Sequence, residues 1–351
     1  MHFLKRRAVV TIYNKSKVFE KKKNDGGGIG VTGTGVRAPQ RRNAVCRWLH
    51  TFTGYRKYAA LTLMFIPVVA YFIIFKYIPM SGIAIAFQNY RIKSQSFFAG
   101  PWVGLDNFTK AFNTPTFARS VTNTLAISGL KLLFGFPAPI ILALMLNEVS
   151  HARFKKTIQT ITYLPHFLSW IVLAGMFQQL LSPNNGAVNA VLRDVFGIKE
   201  SIYFLGDNKY FRGTLIVTDI WKNVGWSSIL YLATITGIDP ALYEAATVDG
   251  ASRWQCTRYI TIPSLVSTIV VMLILNVGSI MDAGFDQVFN LYNSAVYQSG
   301  DIIDTYVYRY GLGDMKYALA TAVGLFKNVI AFLLVVGTNL IARRISGEGI
   351  W

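Results

Sequence analysis

The sequence predicts an all-α integral membrane protein with six transmembrane helices. The first observation is composition: 52% of the 351 residues are hydrophobic, 15% are charged, and the mean hydropathy is +0.38. Ordinary soluble domains contain about 25% charged residues, so a soluble chain of this size would leave too much apolar surface in water. The second observation is six separate stretches that are long and apolar. Together they exclude a disordered chain, a collagen and a disulfide scaffold.

Crossing a bilayer core of about 30 Å takes about 20 apolar residues in a helix. The predicted spans are residues 58–78, 121–146, 157–181, 214–236, 265–281 and 321–342. Pro67, Pro137, Pro139 and Gly278 fall inside these spans. We expect membrane helices to tolerate such residues because neighbouring helices can satisfy the freed backbone groups.

Basic residues predict the orientation, because cytoplasmic loops carry the excess of Lys and Arg. The basic groups lie in residues 1–57, 153–156, 253–258 and 343–351. With an even number of spans, both termini are expected on the cytoplasmic side of the plasma membrane. The outer segments are then residues 79–120, 182–213 and 282–320. We expect most aromatic residues in these segments, including Tyr306, to be anchors at the membrane interface.

The same pattern divides the chain into four parts. We expect a basic, Gly-rich and mostly disordered tail in residues 1–57, and a first membrane helix with its outer loop in residues 58–116. A membrane core follows in residues 117–342, and a short cytoplasmic tail in residues 343–351. The first part holds 14 of the 35 Lys and Arg residues and two acidic ones. A basic tail can bind nucleic acid or an anionic membrane surface. Because this one adjoins a span, we expect membrane lipid as its partner and no nucleic acid.

Several motifs fail when their surroundings are considered. Gly28, Gly30 and Gly33 fit the G-x-G-x-x-G dinucleotide pattern, which needs a strand before it and a helix after it. A charge run precedes this one, so a flexible linker is the better interpretation. No Lys-Ser or Lys-Thr pair follows a glycine-rich loop, so the sequence contains no Walker A motif. The four histidines lack the spacing of metal ligands. We therefore predict no metal, no cofactor and no catalytic residue, which disfavours a membrane enzyme.

Charged residues inside the predicted spans are candidates for function, because they are costly in a membrane. They are Lys76, Lys131, Asp219, Lys222, Lys327 and the nearby Asp282. All fall toward the outer halves of their spans, so they could instead snorkel to the interface. Asp219 and Lys222 are three residues apart and could pair on one helix face. No acidic residue is placed as in a proton relay, which weakens a secondary transporter.

The loop between the fourth and fifth predicted spans is the most informative segment. Asp239 suits an N-cap and Pro240 the first position of a helix, while Gly250 suits the left-handed residue that ends one. A second short helix over residues 252–261 would follow, and Pro263 would start the fifth span. The sequence thus predicts a rigid helix–Gly–helix elbow on the cytoplasmic face. An ordinary amphipathic interfacial helix is the alternative.

The elbow sequence resembles the EAA signature of ABC-importer permeases. The matching residues are Glu244, Ala245, Ala246, Gly250, Ile260, Ile262 and Pro263. The spacing agrees throughout, and the one departure is Ile262, where the family usually has Leu. Residues 77–80 and 103–108 look like the entry to the first outer loop of sugar-type permeases. Residues 163–170 and 304–308 resemble the polysaccharide and lipoprotein subgroup.

The resemblance implies the fold and partners of a type I importer. Residues 117–342 of this chain would be the permease core and would form one half of the pore. The partners it implies are a second permease subunit, expected to be a different chain, a cytoplasmic ABC ATPase dimer, an extracytoplasmic solute-binding protein and an oligosaccharide substrate. ATP hydrolysis would take place on the ATPase. Coupling to it is expected at Glu244, Ala245, Ala246, Asp249, Gly250, Ile260 and Pro263.

The substrate pathway is a further expectation. Its candidate residues are Lys131, Asp219, Lys222 and Lys327. If two or more of the lysines face the pore, the cavity would be electropositive and would draw in an acidic oligosaccharide. If each lysine snorkels or pairs locally, neutral sugars are equally acceptable. Another solute, such as a peptide or a small polar nutrient, is the alternative within ABC permeases, and a secondary transporter is the alternative outside them.

Overall fold

The computed structural model describes residues 59–90, 100–347, 349 and 350. The chain divides into two units, residues 1–70 and 71–351. The described part of the first unit is the beginning of the first helix. The expectations for the basic tail, residues 1–57, lie outside the described residues.

The described residues form helices, and the β-structure among them is one isolated bridge between Gln88 and Trp102. The helices are α1 (Ala59–Phe87), α2 (Asp106–Phe112), α3 (Pro115–Glu148), α4 (Ala152–Phe167), α5 (Trp170–Leu180), α6 (Ala187–Phe196), α7 (Asn208–Thr236), α8 (Pro240–Val248), α9 (Arg253–Gly278), α10 (Phe285–Leu291), α11 (Tyr297–Gly300), α12 (Ile303–Tyr308) and α13 (Tyr317–Ser346). The predicted all-α class is confirmed.

Four of these helices, α1, α3, α9 and α13, are long and apolar enough to cross a membrane. Helices α4 and α5 make a fifth span if the bent pair counts as one. Helix α7 covers the remaining predicted span with 29 residues, and it contains Asp219 and Lys222. A multi-pass membrane protein is therefore confirmed, and the count of six spans stays a prediction.

The third predicted span is not one straight helix. Its two halves, α4 and α5, meet at an angle of 105°. The break falls at Leu168 and Ser169, whose backbone is extended. The Ser169 hydroxyl accepts a hydrogen bond from the Val172 amide and so caps the new helix. The hydropathy pattern is continuous across this break, so it gave no sign of the bend.

Helix α4 packs closely on α7 where the bend begins. A Cβ atom added to Gly225 of α7 would lie 2.2 Å from the Thr162 carbonyl oxygen. Only glycine allows the two backbones to approach this closely. The contact places the end of α4 beside the polar residues in the middle of α7.

The fifth predicted span also differs from expectation, because the second arm of the elbow is not a separate helix. Helix α9 runs without interruption through Pro263, and a π-helical turn, Thr257–Thr261, precedes the proline. Similar turns, Ile73–Tyr77 and Lys131–Gly135, end two residues before Pro79 and Pro137. A proline ring clashes with the carbonyl group four residues earlier, and the wider turn moves that group aside.

The third predicted outer segment, residues 282–320, contributes much of the core. Tyr306, expected as an interface anchor, is fully buried instead. Asp301 is also fully buried, and its Oδ2 lies 2.7 Å from Nη2 of Arg309. Asn123 of α3 donates to the Asp301 carbonyl oxygen at 3.0 Å. An internal ion pair of this kind holds a chain segment in place because either charge alone would be costly to bury.

Candidate functional site

The first arm of the elbow is α8, and both of its ends are capped. The Asp239 carboxylate accepts a hydrogen bond from the Ala241 amide at 3.0 Å, and Pro240 occupies the first position. At the other end Gly250 is left-handed, with φ of +78°. Its amide donates to the Thr247 carbonyl and that of Ala251 to the Ala246 carbonyl, at 3.0 and 2.9 Å. These two bonds define a Schellman cap, so the predicted role of Gly250 in the chain path is confirmed.

The second arm is the beginning of α9, and it is capped as well. The Ser252 hydroxyl accepts from the Gln255 amide at 3.3 Å, and the Gln255 side chain accepts from the Ser252 amide at 2.7 Å. This capping box satisfies two donors that a helix start would otherwise leave unpaired. Because α9 has 26 residues, the second arm and the membrane helix are one rigid rod.

Two side-chain contacts connect the elbow to the membrane helices. The hydroxyl groups of Tyr243 in α8 and Thr261 in α9 lie 2.9 Å apart. Thr257 donates to the Glu148 carboxylate at the end of α3, at 3.3 Å. These contacts connect α8 to α9 and α9 to α3. The sequence analysis did not identify these contacts, since no spacing rule relates residues of three different helices.

The elbow presents a mixed apolar and charged surface, with both acidic and basic side chains. Glu244, Ala245, Asp249, Gly250 and Pro263 are exposed, while Ala246 and Ile260 are half-buried. Large apolar side chains beside them are also exposed: Leu242, Val248, Trp254 and Tyr259, at 51%, 88%, 65% and 69%. An apolar patch of this kind marks a docking surface. The side chains are thus placed as the expected coupling role requires, and the role itself stays a prediction.

A central cavity of about 320 Å³ lies between α3, α7 and α9. Lys131, Asp219 and Asp282 line it, together with Asn223 and Asn276. One lysine faces two aspartates, so this lining is not electropositive. Lys131 and Asp219, two of the residues predicted for the substrate pathway, thus line one cavity, and their role in transport stays a prediction; the sequence analysis did not identify the asparagines.

The Lys131 ammonium group is fully engaged at the edge of this cavity. It lies 3.4 Å from Asp219 Oδ1, 2.9 Å from the Ala283 carbonyl oxygen and 2.5 Å from Gln287 Oε1. The Asn223 amide donates to the same Asp219 oxygen at 3.2 Å. The expected pair between Asp219 and Lys222 is therefore wrong, because Asp219 is occupied by a residue from another helix.

Lys222 has a different role, at the bend between α4 and α5. Its ammonium group donates to the carbonyl oxygens of His166, at 3.0 Å, Pro165 and Leu168. The residue is 7% exposed, and its charge lies 5.5 Å from the centre of the Trp170 ring. A cation here satisfies the unpaired carbonyls at a helix end. Lys222 is not among the residues that line the central cavity.

Lys327 pairs with Asp304, whose two carboxylate oxygens lie 2.5 and 2.7 Å from its ammonium group. Both line a second cavity, of about 490 Å³. Burial raises the pKa of the Asp304 carboxyl, and the Lys327 charge opposes that shift. Snorkelling is thus wrong for Lys131, Lys222 and Lys327, since all three have internal partners. Lys76 is exposed.

The described residues contain no group of three or more His, Cys, Asp or Glu side chains that could hold a metal ion. The capped elbow, the long apolar helices and the polar central cavity are features of a multi-pass membrane protein and are consistent with a transport protein. The family model described as "binding-protein-dependent transport system inner membrane component" matches residues 135–347. The chain belongs to this family, as the EAA resemblance predicted. It is a permease subunit of an ABC importer, and ATP is hydrolysed on a separate subunit.

Two relatives from Bacillus subtilis (strain 168) are 44% identical to the chain over 291 residues. They are Protein LplB and the polygalacturonan/rhamnogalacturonan transport system permease protein YteP. The matches cover 91% of LplB and 90% of YteP, and each covers 83% of this chain. A solved structure, of a bacterial ABC transporter involved in the import of the acidic polysaccharide alginate, is 42% identical with a TM-score of 0.78. The match covers 84% of this chain and 99% of the matching chain in that structure.

Proposed function

We propose that this permease imports oligosaccharides that carry uronic acids, and that it is driven through the elbow formed by α8 and the start of α9. The observation that carries the proposal is the doubly capped elbow joined rigidly to α9 in a chain of this family. An interfacial helix would need no such connection to a membrane helix. Both termini and the elbow face the cytoplasm in this proposal, since their basic residues fit the positive-inside rule.

The geometry of the elbow supports the following coupling step. ATP-driven closure of two ATPase subunits pushes α8, and the Schellman cap at Gly250 keeps the angle to α9 fixed. Glu244 makes a charge-assisted contact with a basic group of the ATPase, and Asp249 adds to it. Ala245 and Ala246 allow close approach. Ile260 and Pro263, in and just after the π turn of α9, receive the push, and the helices rock as rigid bodies.

The partners of this chain are a second, different permease subunit, a cytoplasmic ATPase dimer and an extracytoplasmic solute-binding protein. A solved structure supports the last of these. It shows a bacterial alginate ABC transporter in complex with an alginate pentasaccharide-bound periplasmic protein, and its matching chain is 42% identical with a TM-score of 0.78. That match covers 85% of this chain and 99% of the other.

The substrate class rests on the printed functions of these relatives, which handle polygalacturonan, rhamnogalacturonan or alginate. All are acidic polysaccharides. In this chain Lys131 and Asp219 would meet the sugar in the central cavity, and Lys327 in the second cavity. Lys222 would act by holding the bend that shapes the pathway. The net charge of the cavity lining does not favour acidic sugars. Selection of an acidic sugar therefore requires Lys131 to leave Asp219 and to bind a sugar carboxylate in its place.

The proposal is tested by reconstituting the permease pair, the ATPase and the binding protein in proteoliposomes. ATP-dependent uptake is measured for an oligogalacturonate, a neutral oligosaccharide of equal length and a peptide. We expect uptake of the oligogalacturonate, less of the neutral sugar and none of the peptide. Uptake of the peptide alone would contradict the proposal, as would solute accumulation without ATP.

A further inference from the structure

Five aromatic rings form a continuous strip on the surface of residues 282–320. They are Phe285, Phe289, Tyr292, Tyr297 and Tyr308, called the aromatic strip below. Phe285 and Phe289 lie four residues apart on one face of α10, and Tyr292 is the extended residue that follows the end of this helix. Neighbouring ring centres are 5.1 Å apart for Phe285 and Phe289, and 4.7 Å for Phe289 and Tyr308. All five are half-buried except Tyr308, which is 42% exposed.

The opposite face of α10 fixes the strip to the core. Gln287 is fully buried and donates to the Leu215 carbonyl oxygen at 2.7 Å and to the Thr218 hydroxyl at 2.8 Å. At the far end the Arg309 guanidinium lies 4.9 Å from the centre of the Tyr297 ring, and it also forms an ion pair with the buried Asp301. The rings are therefore held in place before any ligand binds, which lowers the entropic cost of binding.

The strip begins beside the central cavity. Gly284 and Asp282 line that cavity, and Phe285 is the next residue along the chain. Phe285, Tyr308 and Asp282 also line the second cavity, which holds Lys327. Asp282 and Asp286 are exposed on either side of Phe285. Ionised carboxylates are costly against lipid tails, so this face of the molecule meets water.

We propose that the aromatic strip is a binding site for the faces of successive pyranose rings and leads an oligosaccharide into the central cavity. A pyranose ring has an apolar C–H face and hydroxyl groups around its edge. An aromatic face flanked by carboxylates complements both, since the ring stacks on the apolar face and the hydroxyls donate to Asp282 or Asp286. This inference rests on the proposed function, and it adds a site that holds the sugar by ring stacking and hydroxyl hydrogen bonds and not by attraction of the sugar carboxylates.

The test measures binding to the full complex of both permeases and the ATPase, without binding protein. The probes are a fluorophore-labelled pentagalacturonate and a labelled neutral pentasaccharide, followed by anisotropy. In the double variant Phe289→Leu/Tyr308→Leu we expect weaker binding by about fivefold for each ring lost, and equally for both probes. Tyr308→Phe keeps the ring and should bind like wild type. Phe332→Leu, at a position on α13 that is 67% exposed, is the matched control.

Unchanged affinity in the double variant overturns the strip. Failure of that variant to assemble, seen by size-exclusion chromatography, also overturns it and makes the strip a subunit interface. A wild-type complex that binds neither probe, while the loaded binding protein still stimulates its ATP hydrolysis, contradicts the strip and leaves the proposed function standing. A wild-type complex whose hydrolysis no oligosaccharide stimulates contradicts the proposed function itself.

Discussion

The ammonium group of Lys222 donates to the carbonyl oxygen of His166 at 3.0 Å, at the point where α4 ends and the chain turns by 105°. His166 in turn stacks on Trp226, with ring centres 4.7 Å apart, and its Nδ1 lies 3.1 Å from Asn223 Oδ1. One polar network thus joins the bend to the residues that line the central cavity.

Replacing Lys222 by Met should destabilise the bend. The substitution keeps the length of the side chain but leaves the carbonyl groups of His166 and Leu168 buried without a donor, at a cost of about 1–3 kcal/mol. The measurement is thermal unfolding in detergent, followed by fluorescence-detected size exclusion. Lys199→Met, at an exposed position, is the control. Equal unfolding temperatures for the two variants would show that Lys222 does not hold the bend.

Replacing Asp219 by Asn should change selectivity. Without the Asp219 carboxylate, Asp282 is the one acidic residue left in the described lining of the central cavity and Lys131 is free to bind a sugar carboxylate, so we expect the preference for acidic over neutral oligosaccharides to rise about threefold. Competition for uptake between two sugars of equal length measures this preference. Asp194→Asn removes the same charge from an exposed pair with Arg193 and should have no effect. A preference that does not move would exclude Lys131 from selection.

Replacing Tyr243 by Phe should weaken the transmission from α8 to α9. The variant loses the 2.9 Å contact with the Thr261 hydroxyl and nothing else. We expect sugar-stimulated ATP hydrolysis to fall about threefold, within the usual contribution of one hydrogen bond. The control is Tyr203→Phe, because this side chain is exposed and lies outside the elbow, between α6 and α7. Full stimulation in the Tyr243 variant would place the transmission elsewhere.

Deleting residues 1–45 should leave uptake within about twofold of wild type, because this basic, Gly-rich sequence contains none of the residues that we propose for coupling or for the substrate pathway. The basic residues in this tail are expected to rest on anionic lipid, at about 1 kcal/mol for each residue near the surface. Uptake into vesicles, normalised to the amount of inserted protein, tests this. Loss of uptake with normal insertion would mean that the tail contacts the ATPase or the second permease.

The sequence predicted those features that depend on local signals. The capped ends of α8 could be found from Asp239, Pro240 and Gly250, because capping involves residues adjacent in the chain. The bend after α4 could not, since it depends on Lys222, which lies 56 residues from His166. Asp301 and Arg309 likewise belong to an outer segment that the sequence predicts to be solvated. Only the folded structure shows that they form an internal ion pair. A hydropathy pattern reports how apolar a segment is, and it does not report which polar groups meet.

The elbow at Gly250 gives the most direct test, because a second glycine offers a matched control. Gly250 and Gly197 are both left-handed, with φ of +78° and +70°, and an added Cβ would meet nothing within 4 Å at either. Valine is strained at both positions to a similar degree. The two variants therefore differ in place and not in local cost. Glu244→Lys, with Glu200→Lys as its control, changes the contact charge in the same way.

The measurement is sugar-stimulated ATP hydrolysis by the reconstituted complex, with uptake recorded in the same vesicles. We predict that Gly250→Val and Glu244→Lys insert normally but lose stimulation and uptake, while Gly197→Val and Glu200→Lys keep both. Full stimulation and uptake in the two elbow variants would contradict the claim that this elbow couples ATP hydrolysis to transport.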